Sequence, residues 1–192
     1  AIREVDARCV QGNHEQLLNL GIPACPTPGM DDGERMHQHW THSRLDIAAS
    51  RFLRELPMVL EEELCGVRLT VLHFAPDATG QGFARVDPQG PDGAILSLFS
   101  RARGQLVCFG HIHTRVFNAT LGGRHFLNAG GVGCSHDSTA SYAVVGLDNG
   151  RFEIEMRKVA YDRTALLERY DELEIPARDF IRPRFFGVKV EH

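Results

Sequence analysis

Leu106-Val107-Cys108-Phe109-Gly110-His111-Ile112-His113 decides how the chain is read. Four apolar residues closed by a glycine are the pattern of a short strand covered on both faces. Two histidines follow at its end. In open α/β folds, function gathers where strands end and loops begin. On extended backbone the side chains of His111 and His113 start on opposite faces, because strand side chains alternate. Two imidazoles placed that way suit two adjacent metals better than one. In a chain with ten histidines, a single His-x-His is also compatible with a chance pair at a loop. What raises its standing is that the same construction occurs twice more upstream.

The first instance is Ala7–Gln11, a short strand candidate followed by Gly12-Asn13-His14-Glu15. Gly-Asn is turn chemistry, and apolar residues at helical spacing resume from Gln16. Asn and His both ligate metals, and a His beside a Glu can be an oriented acid or base. A plain turn with a solvated His14 is the alternative. The second instance is Val67–Leu72, a β-rich run with His73 at its end before Phe74-Ala75-Pro76.

Between these lie a loop from Gly21 to Gly33 and a predicted helix from Met36 to Leu56, with Pro57 just past its end. His37, His39 and His42 fall on that helix and read as a solvated polar face. Asp77–Gly93 is rich in Gly, Pro and Asp, the composition of a long lid or specificity loop. A helix is expected over Ala94–Arg103. After His113 the pattern changes to hairpins: Arg115–Thr120 with Arg124–Leu127 around Gly122-Gly123, then Tyr142–Leu147 with Phe152–Val159 around Asp148-Asn149-Gly150. His125 and His136 in this half read as structural or solvated. Tyr161–Leu173 is a predicted helix, and Phe180, Phe185 and Phe186 supply the tail with aromatics to dock on the body.

The 192 residues suit one domain with a real core. Net charge is −4, so no general nucleic-acid surface is implied. No apolar stretch is long enough to span a membrane, and no signal peptide opens the chain. Five cysteines without a C-x-x-C argue against a disulfide framework. Cys9, Cys65 and Cys108 read as buried thiols of a cytoplasmic protein.

Gly12-Asn13-His14-Glu15, His73 and Gly110-His111-Ile112-His113, in that order, resemble the last three motifs of the calcineurin-like metallophosphoesterases. The small prokaryotic phosphodiesterase-like branch is the nearest in pattern. Asn128-Ala129-Gly130-Gly131-Val132-Gly133 resembles that branch's Asn-Pro-Gly-Ser-x-Gly turn. The resemblance implies an α/β fold, a four-layer α/β/β/α sandwich, which agrees with an α/β first half and a hairpin second half. It implies two divalent metal ions (Mn, Fe, Zn or Ni). Asn13, His73 and His111 match ligands of one metal, and His113 a ligand of the other. His14 matches the histidine near the leaving group, and Glu15 the acid that orients it. The implied activity is hydrolysis of a phosphate mono- or diester, a small molecule or nucleotide, by a metal-bridging hydroxide.

The chain departs from the family at its start. The family's opening Asp-x-His and Gly-Asp motifs are not present, so residues 1–192 are expected to be one domain that lacks its first βαβ portion. Asn13, His73, His111 and His113 are all neutral, whereas two adjacent dications need carboxylates. Asp77 and Asp137 are the candidates to stand in, and the chain by itself is expected to be inactive. A non-catalytic scaffold or interaction protein on the same fold, as in the retromer subunit, is the alternative. The β-lactamase-like metallohydrolases are disfavoured, because Thr114-Arg115 follows where their His-x-His-x-Asp-His continues.

Overall fold

Three two-residue turns set most of the strand pairing. Cys65-Gly66, Gly122-Gly123 and Asn149-Gly150 each place both residues at positive φ, between 44° and 77°. That is the hairpin turn whose twist matches the strands it joins. The computed structural model describes residues 2–27, 30–80, 82–85 and 94–188. In it the first turn joins β1 (Val59–Leu64) to β2 (Val67–Leu72). The buried strand β3 (Leu106–Cys108) follows. The second turn joins β4 (Val116–Leu121) to β5 (Arg124–Asn128), and the third joins β6 (Thr139–Asp148) to β7 (Arg151–Ala160).

Five strands form one sheet in the order β1-β2-β3-β5-β4. Its centre, β2-β3-β5, is parallel, and each edge strand is antiparallel to its neighbour. The parallel centre is the most buried part: Val67, Leu106 and Val107 are fully enclosed. The β6–β7 hairpin forms a second sheet across the first. At one end the Ser141 N–H donates to the Gly131 carbonyl, and at the other the Gly150 N–H donates to the Cys65 carbonyl. Close to the Gly150 end, Phe152 of β7 meets His125 of β5 edge-on at 5.0 Å.

Among the described residues, six α-helices flank the strands: α1 (Asn13–Leu20), α2 (Asp32–Ser43), α3 (Ile47–Glu55), α4 (Ala94–Ser97), α5 (Thr164–Glu172) and α6 (Arg178–Phe186), with a 3₁₀ turn at Ile2–Val5. The core is aromatic. Phe74, Phe99, Phe109 and Phe126 pack with Leu72 and Val107 on the α4 side of the sheet.

The mixed α/β architecture agrees with the sequence reading, and several local expectations need correction. Ala7–Gln11 forms no strand; it lies without a ladder, tied to the sheet region by the Gln11 N–H to the Pro57 carbonyl and by the Arg8 guanidinium to Glu62 of β1. The helix expected over Met36–Leu56 is two helices. Asp31 caps the first by accepting from the Glu34 N–H at 2.8 Å, and Asp46 starts the second by accepting from the Ala49 N–H at 2.6 Å. β1 carries no clear strand signal in the sequence, because Glu61-Glu62-Glu63 hides its alternation. Charged residues on an edge strand are a common guard against further pairing. Cys65 is exposed, as a hairpin turn residue must be, and all five cysteines are free thiols. Burial pushes the Cys108 thiol up to about 11, which makes it unreactive at neutral pH. The helix expected over Ala94–Arg103 stops at Ser97 and continues as single turns. Much of the Asp77–Gly93 loop lies outside the described residues. No helix among the described residues is long and apolar enough to cross a membrane.

Candidate metal centre

All three polar clusters arrive at the same end of the parallel strands. His73 follows the last residue of β2. His111 follows β3 by way of Phe109-Gly110. Asn13 opens α1, directly after Gly12. Two backbone bonds lock the strand ends together: the Gly110 N–H donates to the His73 carbonyl, and the Phe109 N–H to the Leu127 carbonyl. Gly12 lets the Glu15 carboxylate and the His73 ring approach the backbone closely. A Cβ there would lie 2.8 Å from Glu15 Oε2 and 3.3 Å from the His73 ring.

Three lone-pair atoms meet at the centre. His73 Nε2 lies 2.9 Å from Asn13 Oδ1 and 3.2 Å from His111 Nδ1, and His111 Nδ1 lies 3.3 Å from Asn13 Oδ1. Donors that share one ion at about 2.1 Å, at angles of about 90–110°, stand about 3.0–3.4 Å apart. Two sides of the triangle fit that spacing, and the His73–Asn13 side, at 2.9 Å, lies just below it. A single proton on His73 Nε2 also satisfies it in the absence of an ion. Among the described residues no group of three His, Cys, Asp or Glu is placed to hold an ion; this set is two histidines and an asparagine.

The histidines are kept neutral. Burial pushes His73 down to about 4, and the neighbouring His111, His14 and His113 push in the same direction. His111 is lowered by burial and then by His113 and His14, and His113 by burial and then by His14. The aromatic core beneath supplies the low-dielectric floor: the Phe74 ring lies 4.9 Å from that of His111. A neutral imidazole is the form that ligates metals.

His111 and His113 do not sit on extended backbone. Both have positive φ, 69° and 51°, in a tight turn where the Ile112 N–H donates to the Gly110 carbonyl. Non-glycine residues held there are strained by roughly 1 kcal/mol each or more, so the surroundings must enforce the turn. Asn128 does so. It is 1% exposed, its Nδ2 donates to the Gly110 carbonyl, and its Oδ1 accepts the Gly130 N–H. The Asn-Ala-Gly-Gly turn was legible as a motif, but its task of holding the His111 loop was not.

His113 and His14 face an adjoining cavity of about 360 Å³ between α2 and α6. Glu15 does not orient His14. Its carboxylate accepts the Gly12 N–H at 2.9 Å and caps α1. The side chain that meets His14 Nδ1 is Gln38 of α2, which is 2% exposed. With the Gln38 amide donating to Nδ1, the neutral imidazole carries its proton on Nε2. Nothing in the sequence singles out Gln38, which lies between His37 and His39. His37 is not simply solvated: it lines the cavity, and its Nδ1 donates to the Pro176 carbonyl at 3.2 Å.

The expected carboxylate stand-ins are engaged elsewhere. Asp77 accepts from the Thr79 N–H and hydroxyl within its own loop. Asp137 is held by Lys158, Thr139 and Ser135 beside β6, which keeps its carboxyl well below the usual range.

Two solved structures place this architecture. Hypothetical protein PH1004 from Pyrococcus horikoshii OT3 superposes with a TM-score of 0.73 at 16% identity, over 98% of this chain and 77% of that one. A metallophosphoesterase from Sphaerobacter thermophilus superposes with a TM-score of 0.55 at 19% identity, over 87% of this chain and 71% of that one. The chain has the calcineurin-like metallophosphoesterase fold. In that fold, His73 and His111 follow the ends of β2 and β3, and Asn13, at the start of α1, lies beside them. No family model matches the sequence, and no curated protein matches it.

Proposed function

We propose that this protein is a metal-dependent phosphoesterase acting on phosphate mono- or diesters. The observation that carries the reading is the triangle of Asn13 Oδ1, His73 Nε2 and His111 Nδ1, three neutral lone-pair donors at ion-sharing distances on a metallophosphoesterase fold. These three would hold one divalent ion, and His113 would serve a neighbouring one. Bound ions supply Lewis acidity at the phosphoryl oxygens and an activated water.

The chain's own residues then divide the work. Asn13, His73 and His111 bind through neutral groups that burial keeps unprotonated. Asn128 holds the loop that aims His111. His14, oriented by Gln38, presents its Nε2–H as a hydrogen-bond donor that stabilises the departing oxygen at the edge of the cavity. A second ion needs carboxylates, and neither Asp77 nor Asp137 is free to provide one. Residues 1–192 should therefore bind one Zn²⁺ or less per chain and turn over weakly.

Elemental analysis of that chain, paired with hydrolysis of an aryl phosphate ester in Mn²⁺, tests the reading. His14→Ala should lower residual turnover at least about 100-fold while metal content stays constant. Equal turnover in parent and variant removes His14 from the chemistry. Two tightly bound ions with robust turnover would show that carboxylates reach the site by another route.

A further inference from the structure

Beside the triangle, α6 is held in place mostly by polar bonds. Of its nine residues only Phe186 is buried. Side chains that bond backbone carbonyls do the rest. His37 donates to the Pro176 carbonyl just before the helix, and His136 to the Arg184 carbonyl near its end. Arg163 donates to the Phe186 carbonyl, and Arg182 of α6 to the Leu167 carbonyl of α5. A helix usually docks by turning its apolar side chains into the core. Here Phe180, Ile181 and Phe185 are left out of the core. They line the cavity of about 360 Å³ that α6 shares with α2, and Phe180 is 57% exposed. The polar bonds fix this apolar wall, so the chamber is formed before anything enters it.

The lining decides what fits. Tyr170 and Phe186 extend the apolar wall, edge-on to each other at 6.0 Å. The Phe185 ring stands 6.1 Å from His113, so apolar surface begins directly at the candidate centre. The facing wall, α2, brings Glu34, His37 and Gln38. Gln38 is taken by His14, and His37 by the Pro176 carbonyl. A sugar or a base edge would bring several polar groups to a wall with few partners left, which weakens binding. The Glu34 carboxylate repels a second anionic group. A neutral apolar group meets neither obstacle, and aromatic walls favour rings. A dry cavity of about 150 Å³ takes one benzene ring. This chamber is more than twice as large and takes two fused rings.

We infer that this chamber selects the alcohol half of the ester, and that the alcohol is an uncharged, apolar, two-ring group. Its rings lie against α6, with the phosphate end at His14 and His113. The inference rests on the phosphoesterase reading only for the phosphate end. The ring pocket consists of this chain's own side chains and is testable without metal or turnover.

Calorimetric titration of the metal-free chain with 2-naphthol is the test. Binding should saturate at one naphthol per chain and be at least about tenfold tighter than that of phenol, because the second ring buries further apolar surface. Uridine, of comparable size but polar, should bind at least about tenfold more weakly than naphthol. Phe180→Ala should weaken naphthol about fivefold, and Ile181→Trp, which fills the chamber, more than tenfold. Phe117→Ala is the control. It removes an aromatic on β4 that is 47% exposed and lies outside the chamber, and naphthol binding should not change. Near-UV circular dichroism checks that the variants keep the fold, which is expected for Phe180→Ala because that side chain is exposed. The proposal is overturned if uridine binds as tightly as naphthol, if Phe117→Ala weakens naphthol as much as Phe180→Ala, or if both α6 variants bind naphthol like the parent. Naphthol binding without hydrolysis of any phosphate ester in Mn²⁺ would count against the phosphoesterase reading alone. Hydrolysis without naphthol binding would count against the ring pocket alone.

Discussion

Asn128→Ala should be among the most costly single substitutions outside the hydrophobic core. Asn128 is 1% exposed and makes two hydrogen bonds, Nδ2 to the Gly110 carbonyl and Oδ1 from the Gly130 N–H. Alanine removes both and leaves two backbone groups to find other partners. A neutral hydrogen bond contributes about 0.5–1.5 kcal/mol, and stranding a buried polar group costs about 1–3 kcal/mol. Gly110 and Gly130 are half-buried, so water replaces part of what is lost. The sum is about 2–3 kcal/mol. At about 2–4 °C per kcal/mol for a chain of this size, the Tm should fall by roughly 5–10 °C. The local consequence matters more. Gly110 precedes His111, which sits at a φ of 69°. Without its tether the strained turn relaxes, and His111 Nδ1 leaves the triangle. Zn²⁺ affinity, measured by competition with a chromogenic chelator, should fall about 10–100-fold, as for other residues that orient ligands indirectly. A variant that loses stability but keeps its zinc affinity would refute the claim that Asn128 aims His111. One that keeps both would refute the whole account of the turn.

Two other perturbations follow from the same geometry. His73 is held at about 4 in the folded protein, against an ordinary value near 6.5. The unfolded chain takes up this proton first as pH falls, so the metal-free protein should be fully stable above pH 6.5 and lose stability between pH 6.5 and 4. The full shift corresponds to about 3 kcal/mol, and partial solvent access reduces that to roughly half. Urea melts across that window should show the slope, and an equally steep slope in His73→Gln would take His73 out of the cause. Gly104→Ala should destabilise by about 3 kcal/mol or more, because a Cβ there would stand 2.5 Å from the Thr70 nitrogen and 2.8 Å from the Leu106 carbonyl oxygen, both backbone. A Tm unchanged by this substitution would mean that the strand ends move apart more easily than the buried β2–β3 pairing allows.

Gly12-Asn13-His14-Glu15, His73 after its apolar run and Gly110-His111-Ile112-His113, with the switch from α/β to hairpin spacing, were enough to read the fold class and to make Asn13, His73 and His111 candidates. Both signals are local. A buried strand announces itself by an apolar run, a two-residue hairpin by its Gly-Gly or Asn-Gly turn, and a strand-end ligand by its position after the run. What needed tertiary structure was every relation between segments distant in the chain. Gln38 and Glu34 reach the site because α2 packs over it, and no spacing rule connects position 38 with position 14. Glu15 stands next to His14 in sequence, yet it bonds to Gly12, because a helix N-terminus offers unpaired N–H groups and the nearest carboxylate takes one. Ala7–Gln11 has strand composition without strand pairing, since a strand exists only where a neighbour supplies its hydrogen bonds. His111 and His113 alternate on paper and turn in space, because the Asn128 hydrogen bond draws in the Gly110 carbonyl and bends the chain just where the sequence alone suggested it ran straight.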